Sequence, residues 1–397
     1  MKQGQSDSAP QYEFDIAPDR RDTWSWKWKV SPGELPMWVA DMDFEVAPEI
    51  VADLKARLNC AAYGYTYVPD EWYKAYISWW SRRHSLTVAK EEIFFVTGVV
   101  PLISSAVRRL THPNENVVLQ TPVYNVFFNC VVNNGCRVLT NRLFYDGHAW
   151  QMDFRDLEEK LKDPQTTLMI LCNPQNPCGR IWTKNELARV GELCARYHVT
   201  VISDEIHCDV HSPESSYVPF ASASDICRKI SISCWSPSKA FNLAGMQSAA
   251  GFIPNPRLRA QIVRGLNNDE VAEPNFMAVT AAVSAFEKGE RWLDELNRYV
   301  SGNKNYCMQF MESHMPHLHV FQSDATYLLW IDATSLCPAS EHAGFADVAA
   351  YIRNRTGLFL SCGEQYGEGL SGFVRLNVAT PRVFVEEAMH RLETLAK

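Results

Sequence analysis

The segment RKISISCWSPSKAFNLAG, residues 228–245, sets a single lysine, Lys239, between two apolar runs. KISISCWS (229–236) has the near-continuous apolar, β-favouring character of a strand buried on both faces. AFNLAG, after the lysine, is mostly apolar too. An ammonium belongs in water. Either Lys239 snorkels out of a half-buried turn, or its desolvation serves the protein. Taken alone, snorkelling is the plainer account, so the surrounding segments have to decide.

Other runs share the strand character: NVVLQTP (116–122), TTLMILCNP (166–174), VTVISDEI (199–206) and AAGFIP (249–254). Between two of them, TKNELARVGELCARYH (183–198) opens with Thr183 and Glu186 in capping-box spacing and continues with helical periodicity. FFVTGVVPLISSAV (94–107) reads as a strand turning into a helix. Strands alternating with helices predict an α/β unit over 51–290 with a mostly parallel sheet flanked by helices. From 291 the pattern changes to a long amphipathic helix (RWLDELNRYVSGNKNYCMQFMES), then TYLLWID (326–332), a second helix, LFLSCG and GFVRLNVA. That pattern predicts a smaller α+β domain over 291–397. Residues 1–50 read as an N-terminal arm and part of the small domain. Within them WSWKWKV (24–30) alternates aromatic and polar residues, as an extended arm packing one apolar face would.

Apolar residues make up 46% of the 397 and charged residues 21%, the proportions of a globular enzyme. A net charge of −8 argues against a nucleic-acid surface. SRRH (81–84) and Arg108-Arg109 are expected to be solvated helix faces. A DNA-binding regulator would be expected to open with a helix-turn-helix domain, and the first residues are too few and irregular for one. The 12 cysteines are scattered without a C-x-x-C pair, and MKQGQSDSAP is polar, so reduced thiols in a cytoplasm are expected. No apolar run approaches the ~20 residues of a membrane helix.

Ligands of parallel α/β sheets bind beyond the carboxyl ends of the strands. Asp204 ends VTVISDEI, Asn176 lies in NPQNPCG after LMILC, Lys239 follows KISISCWS, Tyr124 follows VVLQTP, and Gly98-Val99 sit at a strand-to-helix turn. One lysine, one carboxylate, one amide, one aromatic ring and one set of helix N-terminal amides are thus predicted to share a crevice. The set suits pyridoxal phosphate. An amine that attacks an aldehyde must spend time neutral, which desolvation favours. A carboxylate keeps the pyridine nitrogen protonated, a flat ring stacks on the cofactor, and a helix N-terminus with serines cradles phosphate.

These segments, in this order, resemble the fold-type I pyridoxal-phosphate enzymes of the aminotransferase superfamily: YGYT, TGVVP, NPQNPCG, SDEIH, SPSKAFNLAG and FVRLN. VADMDF (39–44), SDEIH and SKAFNLAGM are similar to the cystalysin/MalY-type C–S lyases in particular, and the likeness runs from about Trp24 to Arg382. The resemblance implies a fold-type I α/β architecture, with Lys239 as the Schiff-base lysine and Asp204 on the pyridine nitrogen. It implies Asn176 on the phenolic oxygen, Tyr124 stacked on the ring, and Gly98, Val99, Ser236 and Ser238 on the phosphate. Tyr65 would reach the phosphate of a neighbouring subunit, implying a homodimer with shared sites. Arg375 would clamp the substrate α-carboxylate, with Ala40 and Tyr124 beside the substrate. The implied reaction is α,β-elimination from L-cystathionine or cysteine-type substrates. Transamination, or a lyase with a second regulatory binding role, stands as the alternative.

Two positions depart from the general aminotransferase pattern. Gln247 stands where many have an arginine bound to the phosphate, and His207 where many have a tyrosine on the ring oxygen; both differences favour the lyase branch. HCDVH (207–211) has two histidines at zinc-ligand spacing but no matching pair elsewhere, and His211 is expected in an exposed loop. GEGLSG (367–372) precedes a strand rather than following one, so it fails as a dinucleotide motif and reads as a flexible loop near the site mouth.

Overall fold

The computed structural model describes residues 12–336 and 344–396. Its main sheet has seven strands: β1 (Ile93–Val96), β2 (Asn116–Thr121), β3 (Arg137–Arg142), β4 (Thr166–Cys172), β5 (Thr200–Asp204), β6 (Ser231–Trp235) and β7 (Ala249–Phe252). Their spatial order is β1-β7-β6-β5-β4-β2-β3. From β6 to β3 every pairing is parallel, and β7 runs antiparallel to both its neighbours. The sheet is mostly parallel, with one strand reversed.

The apolar runs become central strands because helices cover both faces and leave no wet side. In β4, Leu168 to Cys172 are all buried. The edge strand β3 lay outside the predicted set because RVLTNR exposes Arg137, Thr140 and Arg142 and carries no apolar run. Two predicted boundaries also move. Lys229 and Ile230 close a short helix, Asp225–Ile230, N-capped by Ser224, so β6 begins only at Ser231. LFLSCG splits in two: Leu358–Phe359 pairs with Leu35–Pro36, and Ser361–Cys362 joins a different sheet.

Helix α1 (Val99–Leu110) follows β1, and α2 (Lys184–Arg196) joins β4 to β5. The capping box of α2 forms as its spacing predicts. Thr183 Oγ1 accepts from the Glu186 N–H at 3.3 Å, and the Glu186 carboxylate accepts from the Thr183 N–H at 2.7 Å. The long α3 (Glu290–His314) leads to a second, antiparallel sheet of β8 (His319–Val320), β9 (Leu328–Asp332), β10 (Ser361–Cys362) and β11 (Phe373–Asn377), in the order β8-β9-β11-β10. No helix among the described residues is long and apolar enough to cross a membrane.

The arm at 24–30 is a series of turns, not an extended strand, and its alternation holds only at Trp28 and Lys29. Trp24 and Trp26 are exposed while Lys27 is wholly buried. Charge is the reason. Asp43, 1% exposed, takes Lys27 Nζ at 2.6 Å, Trp28 Nε1 at 2.8 Å and Arg20 Nη1 at 3.0 Å. SRRH is likewise only partly a solvated face: the His84 side chain is buried, with Nε2 2.8 Å from Asp209 Oδ1.

Asp43→Ala would leave Lys27 buried beside Asp41 alone, at 3.9 Å. The expected loss is about 3–5 kcal/mol, the cost of stranding a buried charge, read from chemical denaturation. A loss under about 1 kcal/mol, the scale of an exposed pair, would show that water reaches Lys27.

Candidate active site

The carboxyl ends of β4, β5 and β6 finish level: Cys172 pairs with Asp204, and Asp204 with Cys234. The chain leaves each end into a turn, and these turns wall a cleft of about 390 Å³. Asn176, Asp204, His207 and Lys239 line it, and so do Tyr124, Gly98 and Val99. Ala40, Ser236, Ser238 and Gln247 complete the wall. Parallel strands explain the convergence of Asn176, Asp204 and Lys239, while Ala40 is brought in from the arm, 199 positions before Lys239.

Lys239 is half-buried at the cleft floor, and its Nζ donates to the Ala40 carbonyl at 2.5 Å. Three side chains bring that carbonyl into place. Asn242, just beyond the lysine, holds Met42 and Phe44 through their backbones at 3.1 Å. Asn377, at the end of β11, donates to the carbonyls of Val39 and Asp41 at 2.6 Å. The Tyr327 hydroxyl donates to Ala40 itself at 2.9 Å. Nothing in TYLLWID singled out Tyr327, because an aromatic residue at a strand start is ordinary core. Burial, with Arg375 adding to it, pulls the Lys239 amine down to about 8, against the opposing pull of Asp41 and Asp204.

Asp204 is buried, and one carboxylate oxygen accepts from the Ile206 N–H at 3.1 Å. Burial pushes its pKa up to about 7, and the charge of Glu205 adds to the rise. Glu205 points to the other face of β5, where Trp235 Nε1, Ser203 Oγ and the Phe220 N–H donate to it at 2.8–2.9 Å. His207 is held neutral by burial first, then by the positive charges of Lys239, Arg375 and Lys304. Its Nδ1 has no hydrogen-bond partner among the described residues. Burial also raises the Tyr124 phenol to about 12.

One wall of the cleft is built for an anion. At the start of α1 the N–H groups of Val99 and Val100 have no partner within the helix, and a side chain at Gly98 would crowd Pro101, its Cβ 3.1 Å from Cδ. Ser236 Oγ lies 2.7 Å from the Ser248 carbonyl and accepts from the Ser238 N–H at 3.1 Å. Ser236 Oγ also lies 2.9 Å from Ser238 Oγ, so the two hydroxyls are linked to each other where they line the cleft.

Arg375, in the middle of β11, is 4% exposed and stands behind Asn176. Its Nη1 donates to Asn176 Oδ1 and its Nη2 to the Trp38 carbonyl, both at 3.0 Å, and the guanidinium lies over the Tyr366 ring. Its Nε has no partner among the described residues. Tyr65 is not in this cleft: it is fully exposed, beside Thr66, Tyr67 and Phe276. His207 and His211 part company, and His211 is not an exposed loop residue. It is partly buried and forms a β-bridge with Ala325. GEGLSG contributes no residue to the lining of the cleft. Gly367 packs against Thr121 and Pro122, and the Glu364 carboxylate ties the loop by accepting from Gly369 and Leu370.

The donor set fits pyridoxal phosphate. A buried acid with no paired cation, an amine lowered toward neutrality, open helix amides and a planar ring are what its nitrogen, aldehyde, phosphate and face require. The sequence matches the family model described as aminotransferase class I and II over residues 37–392. It is 40% identical over 390 residues to cystathionine beta-lyase PatB of Bacillus subtilis, covering 96% of this chain and 98% of the relative. Two solved structures superpose over 97% of the chain. One is a pyridoxal-phosphate-bound putative aminotransferase of Clostridium difficile, with TM-score 0.92, 35% identity and all of that chain covered. The other is a pyridoxal-phosphate-bound C–S lyase of Staphylococcus hominis complexed with L-cycloserine, with TM-score 0.91, 31% identity and 99% covered. A lysine and an acid facing each other at the strand ends, on this sheet and with these relatives, have one meaning: the chain belongs to the class I and II aminotransferase family and has the fold of the fold-type I pyridoxal-phosphate enzymes.

Proposed function

We propose that the protein is a pyridoxal-phosphate-dependent C–S β-lyase acting on L-cystathionine or cysteine-type substrates. Substrate plus one water yields a thiol, pyruvate and ammonia. The observation that carries this reading is the Lys239 amine, lowered to about 8 and facing Asp204 across the cleft. The 40% identity to a cystathionine β-lyase supports the reaction class. The cytoplasm is the compartment this reading assigns.

In this reading Lys239 holds the cofactor's aldehyde carbon, and Asp204 holds a proton on its pyridine nitrogen. Asn176 meets the phenolic oxygen beside His207, and Tyr124 stacks on the ring. Gly98, Val99, Ser236 and Ser238 cradle the phosphate. Tyr65, exposed on its own chain, serves the cleft of a second copy, so the unit is a homodimer with shared sites. The cleft lies between a large unit, 51–290, and a smaller one, 291–397 with part of 1–50. The bound cofactor supplies an electron sink for the pair left when Cα–H breaks.

Arg375 receives the α-carboxylate bidentately, which planar guanidinium does and ammonium does not. With the carboxylate anchored there and the backbone of Ala40 alongside, the Cα–H bond is turned toward Lys239 Nζ. The neutral Lys239 amine would be the base that accepts the Cα proton. Transamination is the second reading, favoured by the aminotransferase description of the Clostridium difficile structure at 35% identity. It shares the chain's part as far as proton removal and differs in where the proton returns.

L-cystathionine supplied without a keto acid is expected to give pyruvate and thiol one to one over many turnovers; a halt after one turnover would make the protein a transaminase. Lys239→Ala should fold and lose at least about 10²-fold in turnover, the span of a general base; near-parental pyruvate release would refute its role. Arg375→Ala should raise KM for the amino acid far more than it lowers cofactor content, and the opposite pattern would count against the carboxylate clamp. Only neutral Nζ attacks an aldehyde, so capture of pyridoxal phosphate by apoprotein should rise with pH and level off above about 8. A rate still climbing toward the ordinary lysine value of 10.5 would show a solvated amine.

A further inference from the structure

Two lysines are buried far from solvent, and they are held in opposite ways. Lys27 has a carboxylate. Lys304, on α3 and 5% exposed, has none paired with it among the described residues. Its Nζ donates instead to the Ser323 carbonyl at 3.2 Å, Ser323 Oγ at 3.0 Å and the Ala325 carbonyl at 3.0 Å. An ammonium offers three hydrogens and no acceptor, and here all three have neutral partners. Burial lowers it to about 7, against the opposing charge of Asp324 in the same turn.

The turn it grips is strained. Thr326, β-branched and buried, has φ +64°, in the left-handed region that disfavours such residues. The same turn is the meeting point of the site's segments. Asp324 and Ala325 donate to the Gly179 carbonyl at 3.0 and 2.9 Å, and Gly179 closes the loop carrying Asn176 by donating to Gln175 at 2.7 Å. Gly179 has no room for a side chain, since a Cβ would lie 2.0 Å from Ser323 Oγ. Thr326 donates to the Val210 carbonyl at 2.7 Å and Ser212 to that of Asp324 at 2.8 Å, which ties down the stretch after His207. Tyr327 comes next and donates to Ala40, the residue that also receives Lys239.

We propose that Lys304 is a positioning residue of the active site: its ammonium pins the strained 323–326 turn, and the turn keeps Asn176, His207 and the Ala40 carbonyl in register around Lys239. Nothing else on α3 reaches this turn with three donors. The role rests on the reading of the cleft as a pyridoxal-phosphate site.

Lys304→Met keeps an unbranched side chain, one atom shorter, and removes its donors. In the folded variant the dissociation constant for pyridoxal phosphate, followed by visible absorbance, should rise at least about fivefold, and KM for L-cystathionine at least about tenfold with a smaller fall in kcat, because small misplacements are costly in such sites. Adding Thr326→Gly, which accepts the same φ without strain, should recover much of both losses. A Lys304→Met protein with native circular dichroism and both constants within about twofold of the parent, below the effect of a misplaced site, overturns the proposal. So does a loss that Thr326→Gly leaves untouched, as a purely structural role would. If Lys304→Met does not fold, Ser323→Ala, which removes one of the three acceptors, is judged by the same outcomes. If the parent releases no pyruvate, the functional reading fails by itself, and cofactor affinity still decides the role of Lys304.

Discussion

The constraint on which the rest depends is the removal of one amine from water. Lys239 sits at the carboxyl end of a buried strand, where its Nζ meets a backbone carbonyl rather than a carboxylate. A carbonyl partner satisfies a hydrogen without adding the negative charge that would hold the amine protonated. Getting that carbonyl there takes residues from three distant parts of the chain, Asn242, Tyr327 and Asn377, and the arm before Ala40 is in turn anchored through Asp43. The site is thus a product of the whole molecule.

Burial acts on the cleft's acid and base in opposite directions, and this gives it its character. It raises Asp204 to about 7 and lowers Lys239 to about 8. Both groups are therefore close to a change of protonation near neutral pH, where proton transfer is most efficient. Glu205, one residue beyond the same strand, adds negative charge, and hydrogen bonds from Trp235 and Ser203 favour its ionised form against burial. His207 stays neutral among three cations. A cofactor that brings a protonated ring nitrogen and a phosphate dianion supplies the two charges this arrangement lacks, which is why apparently mismatched groups can share one cleft.

Hydrogen bonding across the second sheet sets the distances. Arg375 reaches Asn176 because β11 presents it toward the main sheet, and Asn377, two residues on and so on the same face, reaches the 39–41 segment. The turn held by Lys304 joins the same set of segments from the opposite side. The second sheet stays in register with the wall of the cleft only if polar contacts join them, since apolar packing is tolerant of sliding while hydrogen bonds are not.

The order of strands and helices, the capping box at Thr183 and the strand-end positions of Asp204, Asn176 and Lys239 could be read directly, because buried parallel strands are apolar on both faces and anything polar at their ends stands out. The edge strand β3, the split of LFLSCG and the inverted burial of Trp26 and Lys27 could not, because each depends on a neighbour that is distant in sequence. The strand-end residues that line the cleft could thus be picked out from the sequence alone, through their types and their places. The tertiary structure alone decided the protonation of Lys239 and Asp204 and the contacts made by Tyr327 and Lys304. Desolvation and hydrogen-bond partnership are properties of what surrounds a group, and the surroundings exist only once the chain has folded.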